Sequence, residues 1–114
     1  MIPGTVYTLE REGEVLGTLT VSGSDALAIH ADFQATPAFA PYRELFNQEA
    51  LLTGRLARNP SPALLEEAEA VLERLLSLKL ILRREGNLGY RTVLVSIESD
   101  RASFRPLTPE EEPL

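Results

Sequence analysis

The sequence predicts an α+β fold: an antiparallel sheet of four to five strands, in the chain order β-β-β-α-α-β-β, with an α-helical hairpin packed on one face. Three features lead there. Short runs that alternate apolar and polar side chains fill the first third, leucine-rich runs at helical spacing fill the middle, and a run rich in Thr, Val and Ile returns near the end. With 114 residues, 44% of them hydrophobic and 25% charged, the chain has the size and balance of one domain. That domain is placed at residues 1–106, ahead of an acidic, proline-rich tail at 107–114 that is expected to be disordered.

The elements follow in order. Residues 5–11 and 14–21 are β-favouring and are separated by Glu12-Gly13, a pair suited to a tight hairpin because glycine takes positive φ at no steric cost. After four turn formers at 22–25, residues 26–33 alternate Leu27, Ile29, Ala31 and Phe33 with Ala28, His30 and Asp32, which completes a three-stranded meander. The period then changes. A helix is expected from Pro41, with Tyr42, Leu45, Phe46, Leu52 and Leu56 on one stripe and Asn59-Pro60 as its stop.

Ser61 is placed to cap a second helix that opens at Pro62. Its far end is contested by two patterns. Leu78, Leu80 and Leu82 alternate as a strand would, yet Leu64, Ala68, Val71, Leu75, Leu78 and Leu82 step by threes and fours, and Arg83, Arg84 and Gly86 have the makings of a last turn and its cap. The helix is therefore expected to reach residue 84. A turn at 86–89 leads into a central strand over 90–98, with Val93, Val95 and Ile97 on one face, and residues 101–105 form a weak edge strand around Phe104.

Composition removes several classes of function. The absence of cysteine excludes thiol nucleophiles, thiolate metal sites and disulfides, and a single histidine excludes multi-histidine metal centres, so neither metal nor cofactor is expected. Seventeen acidic against eleven basic side chains give a formal net charge of -6, which repels phosphate backbones and anionic bilayers. No run approaches the ~18 apolar residues of a spanning helix, and the first residues carry neither the positive nor the apolar region of a secretory signal. The expectation is a cytoplasmic protein that binds neither nucleic acid nor membrane.

Few groups remain for chemistry. His30 and Asp32 are two apart on an expected strand and so share a side, an arrangement that an acid/base pair in a small hydrolase or isomerase would use. Glu66, Glu67, Glu69 and Glu73 suit the positive end and solvated face of a helix better than a metal, since neither helix carries a histidine. Two stretches are candidates for a binding surface. One is the proline-stiffened segment 32–43, with Phe39, Tyr42 and Arg43; the other is the loop with Arg83, Arg84, Tyr90 and Arg91, although Arg83 and Arg84 also suit helix capping. Leu65, Leu72, Leu76, Leu80 and Ile81 widen the apolar surface of the second helix beyond its main stripe. The function expected first is a non-catalytic protein–protein interaction module or self-associating module, a homodimer above all, with the His30/Asp32 enzyme as the alternative.

Overall fold

In a computed structural model that describes residues 2–91 and 93–114, the meander forms as the alternation requires. Strands β1 (Val6–Arg11), β2 (Glu14–Ser24) and β3 (Ile29–Ala35) pair antiparallel in sequence order. Met1, from the expected domain, and Thr92, from the strand expected over 90–98, lie outside the described residues. At the first hairpin Glu12 has φ 51° and Gly13 has φ 83°, and two successive left-handed residues give the turn the twist of the strands it joins. Between Leu9 and Glu10 the register shifts, leaving Leu16 of β2 as an extra residue that the fold buries completely.

A 3-10 helix over Pro37–Tyr42 follows, and α1 (Arg43–Arg58) begins two residues later than the expected Pro41 start. Both prolines are absorbed in the tighter turn, which carries Phe39 inward against Phe33 and Phe46. Then comes α2 (Pro62–Ser77), capped by Ser61, whose side chain accepts the Leu64 N–H at 3.2 Å.

The expectation that α2 reaches residue 84 is corrected. The helix stops at Ser77, Lys79 adopts φ 53°, and its N–H donates to the Leu76 carbonyl, closing the last turn. Beyond it the chain is extended as β4 (Ile81–Arg84). The alternating pattern prevails because it drives Leu80 and Leu82 into the core, with Leu82 directly opposite Leu9 of β1. Arg83 and Arg84 are accordingly strand residues and cap no helix.

Four more strands complete the sheet: β5 (Leu88–Tyr90), β6 (Val93–Glu98), β7 (Arg101–Pro106) and β8 (Glu112–Pro113). Among the described residues the sheet has eight strands, not four to five, in the order β6-β7-β3-β2-β1-β4-β5-β8 with every pair antiparallel. Two further expectations are corrected. The strand read as central is two strands, and its longer part, β6, lies at a sheet edge. The strand read as a weak edge, β7, lies inside, where small Ala102 faces Ala31 across the ladder and Arg101 faces Asp32. Residues 107–114, read from sequence as a tail, lie against β5, with Leu88 opposite Pro113 and the Leu114 N–H donating to Asn87 O at 2.7 Å.

Cross-strand partners share a face, and the register gathers Tyr7, Leu19, Phe33, Val21, Ala31, Phe104, Val95, Ile97, Leu82 and Tyr90 on the same one. All are buried. The Tyr90 and Phe104 rings lie 6.4 Å apart although four strands separate β5 from β7, and Tyr7 lies 5.5 Å from Phe104. The sheet is therefore curled, with its apolar face inside. Helix α1 packs on β6 and on α2, and α2 leads through Lys79 into β4, so the helical pair sits between the two ends of the curl. Among the described residues no helix is long and apolar enough to cross a membrane.

Candidate functional site

Three places gather chemistry or accessible apolar surface. The first is the His30 patch. His30 and Asp32 do share a face of β3, but the carboxylate at His30 is that of Asp25, whose Oδ2 is 2.7 Å from His30 Nε2. Asp25 Oδ1 also accepts the backbone N–H groups of Leu27 and Ala28, so this side chain builds the turn before β3. The hydrogen bond from His30, then those two amides, hold the Asp25 carboxyl down at about 2. Ser103 of β7 stands opposite His30, at one end of a shallow cleft of about 280 Å³. The His30 and Asp25 side chains are 49% and 56% exposed, which leaves them in water. A catalytic pair so open to solvent works without the desolvation of an enclosed site.

The second place is a groove of about 740 Å³ between the C-terminal turns of α2, the Lys79–Ile81 link and β6. Its walls are Leu72, Leu75 and Leu76 on one side and Val93, Leu94 and Val95 on the other. Leu72 and Leu76 are 38% and 44% exposed, unusual for leucines facing a concave surface. Glu49 of α1 closes one end: its Oε1 accepts from Thr53 and Ser96, while its buried Oε2 has no partner among the described residues.

Strand β6 borders this groove with an open edge, pairing with β7 on one side only. Val93 is opposite Pro106, which has no N–H to exchange, and the two-residue turn at Ser99-Asp100 makes Glu98 and Arg101 the closing pair. Leu94, Ser96 and Glu98 thus bond to β7, and the backbone groups of Val93, Val95 and Ile97 point to the open side. From Val93 to Ile97 no charge or proline guards that edge.

The third place is where β1, β4 and β5 meet residues 107–114. Tyr7 Oη donates to Glu111 Oε1 at 3.0 Å, and Arg84 Nε donates to Glu111 Oε2 at 2.5 Å. Burial first, then the hydrogen bond to Glu111, pushes the Tyr7 phenol far above its ordinary value, and burial also raises that of Tyr90. The Glu111 carboxylate in turn holds the Arg84 guanidinium more firmly protonated.

The residues read as a binding surface are dispersed. Phe39 is buried under the Arg43 guanidinium, which lies 5.0 Å from its ring centre, and Tyr42 accepts a hydrogen bond from Arg11 at 3.1 Å. Arg83 is taken up by Glu10, at 3.0 Å across β1 and β4. Arg84 and Tyr90 come together in the third place, with Arg91 between it and the groove, 3.5 Å from Glu112. Sequence reasoning missed Tyr7, Asp25, Glu49 and Glu111 as members of these sites. Leu72 and Leu76, in contrast, had a signal in the surplus apolar width of α2. Among the described residues no group of three or more acidic, histidine or cysteine side chains is placed to hold a metal.

Compared with known proteins, the chain matches no protein family, no curated protein and no solved structure.

Proposed function

We propose that the protein is a non-catalytic interaction module that self-associates into a two-fold dimer through β6. The observation that carries this reading is the unguarded edge of β6 beside the apolar groove. Its outward groups at Val93, Val95 and Ile97 are symmetric about Val95, so a second β6 laid antiparallel with Val95 opposite itself pairs Val93 with Ile97 twice over and forms about six backbone hydrogen bonds. Leu72 and Leu76 from each copy then lose water against the joint.

The test is sedimentation of wild type beside Leu76→Glu. Leu76 is exposed, so the variant folds, and the reading expects a concentration-dependent dimer for wild type and a monomer for the variant. A wild-type chain that stays monomeric into the high micromolar range refutes it. For the alternative enzyme, the 2.7 Å contact between His30 and Asp25, with Ser103 opposite, is the supporting observation. Hydrolysis of activated esters that disappears in His30→Ala is its test.

A further inference from the structure

The groove between α2 and β6 has two unlike ends. At one, Lys79 follows the last turn of α2, and Arg91 follows Tyr90, whose strand partner is Leu82. One step along the same two strands stand Ile81 and Arg91, so the two cations share that end. At the other end Ser96 Oγ donates to Glu49 Oε1 at 3.0 Å. Between the ends β6 runs roughly 10 Å from Val93 to Ser96.

The side chains between these ends are leucines, valines and one isoleucine, and among the described residues no aromatic ring lines the groove. A flat ring finds nothing to stack on, whereas a flexible alkyl chain fills aliphatic walls. The volume of about 740 Å³ lies within the range of small-molecule sites. Charge sets the head group. Lys79 is exposed and makes no ion pair among the described residues, and Arg91 meets Glu112 at 3.5 Å in an exposed pair of small worth. The backbone at Lys79 does not call for a lysine, because φ 53° suits glycine better. An anionic group at this end meets two cations, and Glu49 repels it from the far end, so a ligand with one anionic head lies one way round.

We propose that this groove binds a free long-chain carboxylate, with its alkyl chain between α2 and β6 and its head group on Lys79 and Arg91. The net charge of -6 repels anionic bilayers, so the ligand is the monomeric carboxylate in solution and not a lipid within a membrane. Ligand binding is separate from pairing through β6. The dimer uses the backbone edge of that strand, the ligand uses side chains inside the groove, and Lys79 serves the ligand alone.

The experiment is titration calorimetry of the full chain with dodecanoate below its micelle-forming concentration. Saturable binding of one molecule per chain is expected, with decanoate weaker by roughly tenfold for the two methylenes it lacks. Dodecyltrimethylammonium, with the same tail and the opposite head charge, is expected to bind weaker still. Lys79→Gly folds, because the left-handed backbone there favours glycine, and is expected to weaken dodecanoate binding about fivefold while Lys79→Arg retains it. Sedimentation of Lys79→Gly is expected to match wild type, which separates loss of the ligand from loss of the dimer. A wild-type chain that is monomeric yet binds dodecanoate with this head-group preference refutes the dimer and supports the groove. The absence of saturable dodecanoate binding, equal affinity for the two head groups, wild-type affinity in Lys79→Gly, or capture of phosphatidylglycerol vesicles in place of the free carboxylate would each overturn the proposal.

Discussion

Individual side chains here are governed by what they are bonded to more than by their neighbours in sequence. Tyr7 and Tyr90 hold their protons above the ordinary phenol value of 10.0 because burial penalises the tyrosinate and, at Tyr7, the proton is shared with a carboxylate. A raised folded-state value stabilises the fold fully below pH 10.0 and loses that contribution as the pH climbs above it. Denaturant midpoints are therefore expected to fall on the alkaline side, with late tyrosinate absorbance at both positions, and Tyr7→Phe should flatten that fall. Asp25 has the opposite sign. Its contribution is complete above the ordinary 3.8 and is lost as the pH drops towards about 2, so Asp25→Asn should flatten the acid limb of the same measurement. An acid limb identical in wild type and variant would show the His30 contact to be idle. At Lys79 the backbone itself is the issue. A lysine at φ 53° carries the left-handed penalty that glycine escapes, and Lys79→Gly is expected to raise stability by about 1 kcal/mol in a thermal melt.

At the level of elements, the contest between helix and strand over residues 78–84 has a direct readout. Leu82 is fully buried opposite Leu9, and Leu82→Ala should cost roughly 2–5 kcal/mol, whereas Leu76→Ala, at a 44% exposed helix position, should change stability little. Similar costs at the two sites would mean that the helix continues. Gly89→Ala should be severe as well, since an added methyl would lie 1.8 Å from the Leu82 carbonyl oxygen. The meander was legible in the sequence because its turns are local: Glu12-Gly13 states its own geometry, and Ser61 with Pro62 does the same for α2. The end of α2 was not, because Leu78 and Leu82 satisfy both periods, and what decides is a contact with Leu9, far away in the chain. Strand order was hidden for the same reason. Nothing near Arg101 announces that it pairs with Asp32, and nothing near Glu111 announces Arg84 and Tyr7. The candidate sites suffered most, since His30 found its carboxylate at Asp25 across a turn rather than at Asp32 along the strand.

For the whole molecule, the curl of the sheet is the organising fact. It encloses the apolar face within one chain, carries the helical pair to the opening, and leaves two sheet edges of unlike character. The β5 edge is covered by an acidic segment with two prolines, 109 and 113, whereas among the described residues no strand pairs with the outer edge of β6, which has no proline and no charge from Val93 to Ile97. Natural sheets guard such edges unless something pairs with them, and the exposed Leu72 and Leu76 beside β6 continue the same apolar surface. Sedimentation equilibrium over a wide concentration range tests this most directly. The account predicts a species of twice the 12.6 kDa chain that Leu76→Glu converts to a single chain. A wild-type protein that remains at 12.6 kDa throughout, or a dimer indifferent to Leu76→Glu, would contradict it.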